Sequence, residues 1–113
     1  MAVKILGYDF SVLFVGQTKL KEEYCGRCDS NSKTIEILKG LDQQVACVTF
    51  LHELLHAILD ATGQKHSEKL IEALSRGLFQ VMQDNGDLLK PVKQHYAELL
   101  REEVLKGEGN AEK

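Results

Sequence analysis

Residues 42–63 read DQQVACVTFLHELLHAILDATG, and the fold turns on this stretch. Asp42 is of a type that caps helix starts, because its carboxylate accepts from the free N–H groups of the first turn. Gly63 is of a type that ends helices, because it adopts the left-handed conformation without strain. Between them Val45, Val48, Leu51, Leu55 and Ile58 recur at helical spacing. The pattern predicts a helix running to about Thr62, with that apolar stripe packed on the elements that precede it.

Working outward, residues 3–15 are rich in Val, Ile, Leu, Phe and Tyr and predict one or two strands, with Gly7 as a bend or break. Residues 21–38, KEEYCGRCDSNSKTIEIL, predict a hairpin. Its turn is Asp29-Ser30-Asn31-Ser32, and Thr34–Leu38 alternates as a half-buried strand does. Downstream, Ser67 predicts the cap of a second helix that ends near Asn85 at Gly86. Pro91 predicts the start of a third, with Val92, Tyr96, Leu99, Leu100 and Val104 on its apolar side. Strands first and helices after give the α+β class. The expected architecture is a small N-terminal antiparallel sheet of about three strands, packed against the first helix, followed by a second helix and a C-terminal helix. Residues 1–106 are expected to form a single domain, and residues 107–113 a frayed tail.

A chain of 113 residues can bury one modest core. Fourteen basic and 17 acidic side chains give a net charge of −3 with no basic block, so nucleic-acid binding is not expected. No apolar run approaches the roughly 20 residues that cross a bilayer, so no membrane partner is expected. The N-terminus lacks a small-residue cleavage site, and a cytoplasmic location is the expectation. The three cysteines, Cys25, Cys28 and Cys47, are an odd number, which points to reduced thiols rather than a disulfide framework. Cys25-Gly26-Arg27-Cys28 is a single CxxC in a predicted strand. Zinc ribbons need a second pair and thioredoxin-like motifs open a helix, so these thiols read as structural or incidental, with a redox-sensitive pair as the alternative.

Chemistry enters with His52-Glu53-Leu54-Leu55-His56, an HExxH motif. Residues four apart on a helix lie one above the other, so His52 and His56 can present two imidazoles to one metal ion. Glu53 is turned about 100° around the helix. It can reach a water at the ion without ligating, and act as the general base. A catalytic zinc site needs a third protein ligand and an open position. The second helix offers Glu68 and Glu72, which share a face. Glu72 sits among Leu70, Ile71, Ala73 and Leu74 and is favoured, whereas Glu68 is also explained by the preference of first turns for acids. His66 is a rival ligand or a hydrogen-bond donor, and Asp60, four residues after His56, could support that histidine.

The motif HELLHAI at residues 52–58, followed after a gap by EALSRGLF at 72–79, resembles the gluzincin pattern. The run Glu72-Ala73-Leu74-Ser75 is similar to the Glu-Ala-Ile-Ser run of thermolysin-like enzymes. The order of strands, HExxH helix and Glu-Ala helix also resembles the small ImmA/IrrE-type metallopeptidases of phages and mobile elements. The resemblance implies a Zn²⁺ held by His52, His56 and Glu72, with Glu53 as the base. Two positions depart from the patterns: Arg76 stands where thermolysin-like enzymes carry an acid, and Leu74 where ImmA/IrrE-type proteins carry Asn. The expectation is a cytoplasmic zinc metallopeptidase acting on a peptide or protein. The alternative is a non-catalytic, metal-stabilised binding or regulatory module.

Overall fold

A two-residue turn sets the first pairing. The computed structural model describes residues 1–17 and 24–111. In it, Leu6 (φ 48°) and Gly7 (φ 87°) join strand β1 (Ala2–Ile5) to strand β2 (Tyr8–Val15) as an antiparallel hairpin. Positive φ at both central residues gives the turn a twist that matches its strands. Strand β3 (Gly26–Asp29) and strand β4 (Thr34–Leu38) form a second antiparallel hairpin. Asp29 builds its turn by accepting from the backbone N–H groups of Asn31 (3.0 Å) and Ser32 (3.2 Å). These bonds, the one from Ser32 first, hold the Asp29 carboxyl below its ordinary range. The predicted hairpin began at residue 21; residues 21–23 lie outside the described residues.

The two hairpins dock side by side through β2 and β4, which run parallel from Ser11↔Thr34 to Val15↔Leu38. The sheet order is therefore β1-β2-β4-β3, a mixed sheet of four strands rather than about three antiparallel ones. The parallel pair arises because β2 and β4 are the second strands of their hairpins and both leave the turn in the same direction.

Helix α1 (Gln43–Ala61) lies on β3 and β4. The Asp42 carboxylate accepts from Gln44 N–H at 3.1 Å, and Gly63 follows the helix with φ 71°. The core consists of Ile5, Phe10, Val12, Ile35, Ile37 and Ala57, with Ala46, Phe50, Leu54 and Ile58 packed against it. Burying a side chain such as Ile35 or Ile37 contributes about 1.5–3 kcal/mol each. The face turned to the core is thus Ala46-Phe50-Leu54-Ala57-Ile58; of the predicted stripe Ile58 belongs to it and Leu51 is buried outside that cluster, while Val45, Val48 and Leu55 are not packed there. Away from the face that carries His52, Glu53 and His56, helix α1 is apolar on most sides, so its periodicity does not choose between them. Ile58 belongs to both sets, and Val45 is 45% exposed.

Helix α2 (Glu68–Asn85) starts as expected, with Ser67 Oγ accepting from Leu70 N–H at 3.1 Å, and ends before Gly86 (φ 60°). Contacts divide the chain into two compact units, Met1–Gln80 and Val81–Lys113, where the sequence reading placed residues 1–106 in one domain. The second unit holds the end of α2 and helix α3 (Lys90–Ala111), which continues past Gly107. Residues 112 and 113 of the expected tail lie outside the described residues. Val92, Tyr96, Leu99, Leu100 and Val104 of α3 are all exposed. No helix among the described residues is long and apolar enough to cross a membrane.

Candidate metal centre

The first unit contains an open cleft of about 920 Å³ between three walls. One wall is the β3 edge with Tyr24, Gly26 and Cys28. The floor is the face of α1 that carries Thr49, His52, Glu53 and His56. The third wall is α2 with Glu68, Glu72 and Arg76. Helical spacing stacks His52 and His56, with ring centroids 5.0 Å apart. Nitrogen or oxygen atoms of His52, Glu53 and His56 all lie within 4.8 Å of one another, a group that could hold a metal ion.

A carboxylate from α2 closes the arrangement. Glu68 Oε1 lies 2.7 Å from His56 Nε2, and Glu68 Oε2 lies 3.0 Å from His52 Nε2. Glu68 reaches in from the rim, since its side chain is 69% exposed. Glu72, the acid favoured from sequence, lines the same cleft one turn further along α2 and is exposed. The carboxylate that bridges the two imidazoles is that of Glu68. Glu68 and Glu72 are four residues apart on one face, so helical periodicity does not separate them; where the loop places the start of α2 does.

Glu53 is the acid on the inner side. It is buried, with Oε1 4.0 Å from His52 Nε2. Burial pushes its carboxyl up from 4.5 to about 7; His52 pulls it down and Glu68 adds to the rise. Burial also holds the His56 imidazole below its ordinary value, against the pull of Glu68. Neutral imidazole is the form that binds a metal. The donor set of two imidazole nitrogens and a carboxylate suits zinc and its divalent neighbours.

Gly26 explains how α1 comes so close to β3. A Cβ there would lie 2.7 Å from Thr49 Cγ2, 3.0 Å from the Glu36 carbonyl oxygen and 3.3 Å from Glu53 Cγ. Only a residue without a side chain lets the strand lie directly against the motif helix. Leu38 N–H donates to the Cys25 carbonyl at 2.8 Å, and the register continues through Arg27↔Glu36 and Asp29↔Thr34. Cys25, Arg27 and Asp29 therefore turn their backbone groups to β4, while Gly26 and Cys28 turn theirs to the open side. Among the described strands none pairs with that side.

Cys25 and Cys28 line the cleft but are not in the group of His52, Glu53 and His56. Cys25 precedes β3 and Cys28 lies within it, so the two point to opposite faces roughly 10 Å apart along the strand, beyond the reach of a disulfide. Burial pushes the Cys28 thiol up to about 11, which keeps it protonated. Cys28 packs against the core.

Asp60 acts on His56 through its charge, not as its hydrogen-bond partner. Its Oδ2 accepts from Ser30 Oγ at 2.9 Å and ties the end of α1 to the β3–β4 turn. The partner of His56 is His66, in the loop before α2, with Nδ1 of His56 2.9 Å from Nε2 of His66. A signal for this was present in sequence. The short connection between α1 and α2 returns close to where it left, which keeps a loop histidine near the last turns of α1. Comparison with protein-family models, curated proteins and solved structures finds no match for this chain, so its own geometry carries the functional argument.

Proposed function

We propose that the first unit is a zinc-dependent peptidase, with His52, His56 and Glu68 as metal ligands and Glu53 as general base. The observation that carries the reading is the convergence of both imidazole Nε2 atoms on one carboxylate, with a second, buried carboxylate alongside. A divalent ion held there would supply Lewis acidity to a water and to a carbonyl oxygen. Glu53 accepts the proton of the attacking water and passes it to the leaving amine. A carboxyl that titrates near 7 is suited to both transfers. The β3 edge favours an extended peptide as substrate. Its outward N–H and C=O groups at Gly26 and Cys28 can pair with an added strand, and they border the same cleft as the histidines.

The test has two parts. Protein purified without added metal is analysed for zinc, and hydrolysis of a peptide library is followed with and without a chelator. The reading expects about one zinc per chain and activity that the chelator removes and zinc restores. Zinc occupancy that survives His52→Ala together with His56→Ala would refute it. Glu68→Gln is expected to weaken zinc binding at least tenfold, and Glu72→Gln less. The reverse order would return the third ligand to Glu72. Stoichiometric zinc without hydrolysis of any peptide favours a metal-stabilised binding module.

A further inference from the structure

His66 lies in the loop between α1 and α2, and its contacts constrain where the protons sit. Its Nδ1 lies 3.0 Å from the carbonyl oxygen of Gln64. A carbonyl can only accept, so this nitrogen carries the proton. A neutral His66 then has a lone pair on Nε2, which faces His56 Nδ1 at 2.9 Å. His56 Nδ1 must be the donor in that bond, which leaves Nε2 as the ring nitrogen available to an ion. Nε2 faces the cleft 2.7 Å from Glu68 Oε1, so without an ion that contact holds a proton, and an ion binding there would displace it. The centroids of the His56 and His66 rings lie 4.9 Å apart, with the ring planes inclined at 61°.

We propose that His66 is a positioning residue for the metal site: anchored by the Gln64 carbonyl, it holds His56 in the Nδ1–H tautomer and so presents Nε2 to the ion. The proposal rests on the metal-binding reading above. Metal-bound histidines commonly donate their second ring N–H to a carboxylate or carbonyl, which orients the ring. Here a second histidine does this, at the position where the sequence suggested Asp60. The Ser30 hydroxyl engages Asp60 instead, so His66 takes the role.

Two measurements test the proposal. The first uses the zinc-free protein at about pH 8, where neutral imidazole prevails and two-bond ¹H–¹⁵N spectra report which ring nitrogens carry hydrogen. Wild type should show hydrogen on Nδ1 of both His56 and His66, and His66→Ala should remove the hydrogen from His56 Nδ1 and leave it on Nε2, where Glu68 accepts it. An unchanged His56 tautomer in His66→Ala overturns the proposal. The second is zinc affinity, by competition with a chromophoric chelator. His66→Ala should bind zinc about tenfold to a hundredfold more weakly. His66→Gln should recover most of the loss, because its side-chain oxygen can accept from His56 Nδ1. Equal affinity in all three proteins overturns the proposal. So does an equal loss in both variants combined with a metal-shifted His66 resonance in wild type, which would make His66 a ligand. Failure of wild type to bind zinc would instead overturn the metal reading, and the zinc-free spectra keep the two failures distinct.

Discussion

Replacing Glu53 with glutamine should make the zinc-free protein more stable at neutral pH, although it removes the proposed base. The Glu53 carboxyl is pushed up from 4.5 to about 7 in the fold, chiefly by burial. Below pH 4.5 it is protonated in both folded and unfolded chains and contributes nothing. Between pH 4.5 and about 7 the unfolded chain releases the proton while the folded one keeps it, so stability falls as pH rises. Above that interval the loss is constant. At about 1.4 kcal/mol per tenfold change in proton affinity, the interval corresponds to about 3 kcal/mol. The carboxylate borders an open cleft, and solvent screening reduces this to about 2 kcal/mol. The glutamine amide has no charge to desolvate and should recover that amount. Thermal and urea unfolding of both proteins in chelator, from about pH 4 to about pH 8.5, measure it. For a unit of this size the Glu53→Gln protein should melt about 10 °C higher at about pH 8, with the difference closing as the pH falls toward 4.5. A difference that does not change with pH, or a less stable variant on the alkaline side, would refute the argument that an uncompensated buried carboxylate sits beside the histidines.

Other substitutions probe the scaffold. Gly26→Ala should destabilise by about 1–3 kcal/mol in urea unfolding, because the added carbon meets Thr49 and a backbone oxygen that has little room to yield. On the proposed peptidase reading it should also reduce peptide hydrolysis, by shifting Glu53. Ile71→Ala should cost about 2–5 kcal/mol, since Ile71 is fully buried on α2. Cys25→Ser with Cys28→Ser should leave zinc stoichiometry unchanged, and oxidant should produce no intrachain disulfide in the folded wild type as read by thiol titration and mass.

Local signals made the helices legible. Asp42, Gly63, Ser67 and Gly86 act within a few residues of themselves, and each marks a helix end in the structure. The HExxH pair was legible for the same reason, since its geometry depends only on the turn of one helix. What escaped depends on distant partners. The parallel β2–β4 pair joins Ser11 to Thr34 across the whole stretch between the hairpins, and nothing in either hairpin alone specifies it. The buried face of α1 was misplaced because Val45, Val48 and Leu55 are as apolar as Phe50, Leu54 and Ala57. Only the sheet decides between the two sets. Glu68 and His66 both depend on how the short loop after Gly63 carries the chain back over α1, and that path is a tertiary property.

The contact at Gly26 joins the cleft's wall to its floor with no side chain between them. In mechanical terms β3 and the HExxH turn of α1 form one jaw, and the jaw carries a ruler. Outward backbone groups recur on β3 every second residue, about 6.8 Å apart. A chain added there could shift only in those steps, and each step would bring a different peptide bond to the same place relative to Glu53. Cleavage position would then be set by register along the strand, with side-chain pockets choosing among registers spaced two residues apart.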